Sequence, residues 1–241
     1  LKQDKGMQIL GDIDLIDATM IMKMAISRFS DCDLKCIGEG VYGRVLLYVG
    51  REGRKYAIKV FKSNYSMLDM DDIDKLLALQ GCEHYPKVFM YQRGSFMVTE
   101  FIDGRTLYEI HCIQERSFAN RLRKPIIDKM ENPIEQYKNA YKYALSRGFA
   151  PYDTHGDNIM VTPHGRLVIV DVGCFAKFHR KLIIPMWASE NKKKFSQSEL
   201  LQALKADKGN FWGYHNGVEA IKECEIHLKT HKTNGQELQP A

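Results

Sequence analysis

The sequence has no run of about 18 apolar residues that could span a bilayer. Its richest apolar stretch, Met20–Ile26, is too short and carries Lys23, so it reads as an amphipathic helix and not as a signal peptide. Paired cysteines are also missing. Cys32, Cys36, Cys82, Cys112, Cys174 and Cys224 are scattered, with no C-x-x-C and no zinc-ligand spacing that includes histidine. That excludes a zinc site of the usual spacing and points to reduced thiols in a cytoplasmic compartment. Only seven prolines and 18 glycines occur, without a low-complexity tract or an internal repeat, which argues against extensive disorder. No nucleic-acid-binding motif is evident.

What is present fits one catalytic unit. A chain of 241 residues, 44% hydrophobic and 27% charged, can bury one substantial core or two small lobes sharing a cleft. The net charge of +5 is concentrated. Lys177, Arg180, Lys181, Lys192, Lys193 and Lys194 stand against Glu190 alone, so residues 177–194 carry the whole excess. Such a patch attracts and steers an acidic partner or substrate. A merely solvated loop and helix end is the plainer alternative.

Periodicity divides the chain near Ile102–Arg105. Leu34–Ile37, Val45–Val49 and Lys55–Phe61 read as a three-stranded antiparallel meander, and Lys87–Tyr91 with Phe96–Phe101 as a hairpin, giving five strands. Between them, Asp69–Leu79 reads as a short helix with acids at its positive end. Beyond Asp103-Gly104 the character turns helical. Asn132-Pro133 caps a helix whose stripe is Ile134, Tyr137, Tyr141, Ala144 and Leu145, ended by Gly148. Short strands Ile159–Thr162 and Leu167–Val170 flank a turn, while Gln114–Asp128 resists assignment. The expected divisions are a helical extension over 1–33, a β-rich lobe over 34–102 and a helical lobe over 103–241 with a basic C-terminal segment.

Gly38, Gly40 and Gly43 form a G-x-G-x-x-G-x-V string ending at Val45, in which absent side chains let backbone N–H groups approach phosphate oxygens. Alone the string is weak. A strand follows it here, whereas a dinucleotide-binding unit would open a helix. Sixteen residues beyond Gly43, Lys59 lies in Tyr56-Ala-Ile-Lys on the third strand. Alternation places Ala57 and Lys59 on one face, small enough at 57 for an adenine ring and cationic at 59 for phosphates. Farther on, Asp153 and Asn158 stand five apart in a loop, and Asp171 lies thirteen beyond Asn158, before a glycine.

These motifs, in this order over Ile37–Gly173, resemble the protein-kinase family: its glycine loop, strand lysine, D-x-x-x-x-N catalytic loop and D-x-G. The resemblance implies an α+β, two-lobed fold, with a small antiparallel-sheet lobe holding one main helix and a shortened helical lobe. It implies ATP and Mg2+ as cofactors in the cleft. Asp153 would orient the acceptor hydroxyl, Asn158 and Asp171 would hold magnesium, and Lys59 would fix the α- and β-phosphates. Adenine would lie between Val45, Ala57 and Met160 with Val170 behind, Thr99 as gatekeeper, and Glu100, Phe101 and Ile102 as hinge. The acid pairing with Lys59 is expected at Asp72, with Asp71 and Asp74 as rivals.

The departures set the function classes. Pro151-Tyr152 replaces the His-Arg that precedes the family's aspartate, so control by loop phosphorylation is not expected. Ala188-Ser-Glu190 only faintly echoes Ala-Pro-Glu, and 68 residues follow Gly173, similar to minimal bacterial or bacterial-effector kinases. An effector acting in a host cytosol is compatible with this. His155 matches aminoglycoside- and choline-type phosphotransferases, where protein kinases usually have lysine. The 52 residues between Glu100 and Asp153 instead suit a protein kinase. A protein serine/threonine kinase is the first reading, a small-molecule or sugar kinase the second, and a scaffolding pseudokinase the third.

Overall fold

The computed structural model describes residues 6–30, 32–62, 72–112, 130–186, 191–206 and 211–234. It falls into two units, Leu1–Gln80 with Pro86–Ile102, and Gly81–Tyr85 with Asp103–Ala241.

The first unit is built on one antiparallel sheet. Its strands are β1 (Gln8–Ile9), β2 (Lys35–Glu39), β3 (Gly43–Val49), β4 (Lys55–Phe61), β5 (Val88–Gln92) and β6 (Phe96–Glu100), in the order β1-β5-β6-β4-β3-β2. The sheet therefore has six strands, not five. The added strand pairs Gln8 with Tyr91 and Ile9 with Met90, and two residues are too few to show a period in the sequence. The meander and hairpin form in the expected order, and β2 runs on through Gly38 with a bulge between Cys36 and Gly38.

Helix α1 (Leu15–Ile26) starts at Asp14, whose carboxylate accepts from the N–H groups of Ile16 and Asp17. Asp17, Ala18 and Ile21 are buried, while Leu15, Met20 and Ile26 are exposed. Ile13, Ala18, Ile21 and Phe29 share one core with Leu46, Tyr56, Ile58, Phe89, Met90, Phe96 and Val98. The buried Asp17 carboxylate accepts from Arg51 N–H at 3.0 Å and from the Tyr48 and Tyr56 hydroxyls at 3.3 Å. Burial foremost raises both tyrosine pKa values, with the Asp17 charge adding to it. Helix α2 (Asp72–Ala78) completes this unit; residues 69–71 of the expected helix lie outside the described residues.

The second unit contains helices α3 (Leu107–Cys112), α4 (Pro133–Ser146), α5 (Gln197–Lys205) and α6 (Trp212–Asn234). A small sheet of β7 (Arg105–Thr106), β9 (Ile159–Val161) and β10 (Leu167–Ile169) has β9 at its centre. β8 (Phe149–Ala150) pairs with β11 (Ala176–Lys177), and β12 (Lys181–Pro185) with β13 (Lys192–Ser196). Asn132 precedes α4 in a left-handed conformation, φ 45°, and its side chain makes no capping bond, so proline at the first turn, not a cap, opens the helix. The stripe expected on α4 is buried at Tyr137, Tyr141, Ala144 and Leu145 and includes Ala140. Gly148, at φ 86°, follows its end. Most of the described basic segment is not loop or helix end but strand: Lys177 lies on β11, and Lys181, Lys192, Lys193 and Lys194 lie on the β12–β13 hairpin, with Arg180 in the bend before it. Gln114–Asp128 and Ala188–Glu190 lie outside the described residues.

Cys32, Cys36, Cys82, Cys174 and Cys224 are thiols outside any disulfide, and that of Cys224 donates to Leu107 O at 3.3 Å. Among the described residues, no helix is long and apolar enough to cross a membrane.

Candidate active site

In the first unit, the β2–β3 turn carries the glycine string. Gly40 N–H donates to Gly43 O at 2.9 Å, closing the hairpin tip. Gly43 is buried, and a Cβ there would overlap the Val60 carbonyl on the neighbouring strand, so the sheet itself demands glycine. Gly38 and Gly40 are different. A Cβ at Gly38 would meet Val45 at an ordinary 3.8 Å, and one at Gly40 would meet nothing described within 4 Å. The fold leaves these two backbone positions open to close approach from outside.

Strand β4 pairs with β3 on one side and β6 on the other, with Val45 opposite Lys59 and Ala57 opposite Thr99. Tyr56 and Ile58 are buried in the core, while Ala57 and Lys59 share the opposite, half-buried face, as the two-residue period requires. Lys59 Nζ lies 2.5 Å from Asp72 Oδ2; the lysine side chain is 17% exposed and the aspartate 1%. Of the rival acids, Asp74 pairs with Arg93 at 2.6 Å, and Asp71 lies outside the described residues. Thr99, Glu100 and Phe101 are half-buried and Ile102 is buried. Glu100 N–H donates to Lys87 O at 2.8 Å, so that N–H is already engaged within the sheet unit.

In the second unit, Asp153, His155, Asn158 and Asp171 converge. Asn158 closes a one-turn helix, Gly156–Asn158, and its Nδ2 donates to Asp153 O at 2.8 Å. The amide oxygen is thereby turned away from that bond. Val170 N–H donates to Asn158 O at 3.0 Å, tying the stretch before Asp171 to the loop. Asp171 Oδ1 accepts from Gly173 N–H at 2.8 Å, which fixes the carboxylate over the following turn. Met160 follows on β9, half-buried and paired with Val168 and Thr106. His155 lies 3.6 Å from the Asp153 carboxylate and 3.5 Å from that of Asp157, and its Nδ1 accepts from Asp157 N–H at 3.3 Å.

Asp153 is left-handed, φ 57°, with its side chain 54% exposed. This conformation costs an aspartate on the order of 1 kcal/mol and needs support. The support lies beneath it. Thr154 is fully buried and its hydroxyl donates to Gly213 O, at the start of α6. Tyr137 OH lies 2.8 Å from Thr154 Oγ1 and donates to the same carbonyl at 2.9 Å. Tyr141 OH donates to Pro151 O at 3.1 Å. A Cβ at Gly213 would overlap that proline carbonyl, so only glycine lets α6 come this close. Burial holds the phenols of Tyr137 and Tyr141 protonated well above their ordinary range. The sequence reading missed this buried set, although two tyrosines four apart on the apolar stripe were its visible trace.

The donors available for a metal are oxygen donors, the Asn158 amide and the Asp171 carboxylate. Among the described residues no group of three or more His, Cys, Asp or Glu side chains could hold an ion. Few carboxylates plus phosphate oxygens are what Mg2+ requires, so the residues fit that ion.

Comparison with known proteins agrees with this arrangement. The ABC1 atypical kinase-like domain matches residues 50–197, more than half of the chain. "Putative serine/threonine-protein kinase YrzF" of Bacillus subtilis is 30% identical over 156 residues, which cover 64% of each chain. Serine/threonine-protein kinase ssn3 of Aspergillus fumigatus is 27% identical over 160 residues, 61% of this chain and 37% of its own. Protein kinase C-like 2 of Schizosaccharomyces pombe is 26% identical over 153 residues, 58% of this chain and 14% of its own. The chain thus spans less than two thirds of these relatives. With the glycine turn, the strand lysine and the Asp153–Asn158 loop all present, the chain belongs to the ABC1 atypical kinase-like domain family, and its fold is protein-kinase-like.

Proposed function

We propose that this chain is an ATP- and magnesium-dependent phosphotransferase acting on a serine or threonine hydroxyl of a protein. One observation carries the reading most directly: Asn158 Nδ2 bonded to the Asp153 carbonyl, with Val170 N–H bonded to Asn158 O. It supports one oxygen-rich site made from two separated motifs.

In this reading Asp153 accepts the hydrogen bond of the acceptor hydroxyl and orients its oxygen for in-line attack on the γ-phosphorus. The proton passes to the carboxylate as the bond to phosphorus forms and the bond to the β-phosphate oxygen breaks. Lys59, aligned by Asp72, binds the α- and β-phosphates. Gly38 and Gly40, with no side chains in the way, would let phosphate oxygens come close to the backbone of the turn. Asn158 and Asp171 would hold magnesium, which supplies charge neutralisation along the phosphates. By the family resemblance, Val45, Ala57 and Met160 would each contact adenine, with Thr99 as gatekeeper and the backbone of Glu100, Phe101 and Ile102 at its edge.

The protein kinases among the relatives support a protein acceptor. His155 against Asp153 favours a second reading, a small-molecule acceptor. Incubating the chain with γ-labelled ATP and magnesium in a cell lysate separates the two. Label in protein is expected. Label confined to soluble metabolites would overturn the protein-kinase reading.

A further inference from the structure

The basic hairpin has two unlike faces. Alternation puts Leu182, Ile184 and Phe195 on one side, where Lys193 opposite Ile184 is itself exposed, and Lys181 and Ile183 on the other with Lys194, the cross-strand partner of Ile183, and, two residues away on β13, Lys192. Ile184 is 1% exposed and Ile183 56%, so the first face packs inward and the second meets solvent. An exposed isoleucine thus sits among three ammonium groups.

Those charges are poorly compensated. Lys181 lies 3.4 Å from Glu199, but Lys192 and Lys194 have no ion pair among the described residues. Residues i and i+2 of a strand stand about 7 Å apart, close enough for like charges to repel at ordinary ionic strength. A polyanion lying along the face would relieve that repulsion.

The hairpin is also tied to the catalytic loop. Tyr152, directly before Asp153, donates its hydroxyl to Ile183 O at 3.1 Å. Tyr152 stands where the general protein-kinase pattern has an arginine, so a neutral hydroxyl makes the link without a phosphate. A segment lying across Ile183 is therefore delivered next to Asp153.

The geometry points to the outer face of the β12–β13 hairpin as a docking site for an acidic polypeptide. Its acidic side chains meet Lys181, Lys192 and Lys194, and an apolar residue covers Ile183. This rests on the protein-kinase reading and adds the substrate class. Single-stranded nucleic acid fits less well, because bases need exposed aromatic rings to stack on and Phe195 lies on the inner face.

The test measures binding to the full chain by fluorescence anisotropy, so it does not depend on catalysis. The probes are two labelled peptides with a central serine and a neighbouring leucine, one flanked by glutamates and one by lysines, and a single-stranded oligonucleotide of equal charge. The glutamate peptide is expected to bind at least about tenfold tighter than the lysine peptide, and to weaken as salt rises. Lys192→Glu/Lys194→Glu should abolish the preference while leaving the thermal midpoint unchanged, since both side chains are exposed. Ile183→Ser should weaken binding about threefold without altering its salt dependence. Equal binding of the two peptides, a preference that survives the double reversal, or tighter binding of the oligonucleotide would overturn the inference. Asp153→Ala should keep the full preference, so a chain that transfers no phosphate can still dock its peptide, and a chain that transfers phosphate can still fail this test.

Discussion

The two units handle charge in opposite ways. In the sheet unit Lys59 is held by a carboxylate that is only 1% exposed, so an ion pair does the positioning inside the protein. In the helical unit the acids stay in reach of solvent, Asp153 at 54%, while buried neutral hydroxyls position the loop. The difference follows from cost. A buried carboxylate is tolerable when a cation is fixed against it, whereas an acid that keeps its contact with water needs no fixed cation. Threonine and tyrosine can be buried cheaply because each finds a carbonyl or another hydroxyl.

Breaking the ion pair should have the largest effect. Lys59→Met removes the partner of a buried carboxylate and should cost about 3–5 kcal/mol in urea unfolding, along with phosphate transfer. Asp72→Asn leaves the more exposed member of the pair and should cost less. Equal losses would show that burial does not set the balance. In the helical unit, Thr154→Val keeps the shape and removes one hydroxyl, for about 1–3 kcal/mol. Because it acts through the loop that holds Asp153, kcat should fall more than KM for ATP; a fall in stability alone would reduce Thr154 to packing.

Alkaline pH sharpens the same contrast. The folded pKa values of Tyr137 and Tyr141 are raised by burial, and an unfolded tyrosine ionises near about 10. Protonated phenol is the form the fold accepts, so this stability is complete below about pH 10 and is lost as pH rises beyond it. Unfolding midpoints should decline there, and Tyr141→Phe should flatten the decline. The smallest effect is at α5, where Ser196 and Glu199 form a reciprocal capping box. Ser196→Ala should cost about 1 kcal/mol. Backbone and side-chain bonds from Ser196 lower the Glu199 pKa, so that contribution is present at neutral pH and is lost as pH falls through the carboxylate range.

Local signals carried most of the sheet into the sequence. Two-residue alternation gave Ala57 and Lys59 their shared face, and D-x-x-x-x-N needs only five residues to be seen. What could not be read depends on distant contacts. Tyr137, Thr154 and Gly213 meet across 17 to 76 positions, and none of the three residue types announces a partner. Which side of α1 turns inward depends on such contacts too: the Tyr48 and Tyr56 hydroxyls and the Arg51 N–H bond the buried Asp17 carboxylate, while Met20 stays exposed. Helix register pointed to Asp72 as the partner of Lys59, and it is Asp72 that pairs there, while its rival Asp74 pairs with Arg93, a partner that spacing does not reveal.

The most direct test of an exposed acid carried by a neutral buried support is transfer of label from γ-labelled ATP by wild type and by Asp153→Asn, with ATP binding measured on the same samples. Asp153→Asn is expected to bind ATP as wild type does and to lose about 10²–10⁴-fold in transfer. Transfer at the wild-type rate by Asp153→Asn would contradict the assignment.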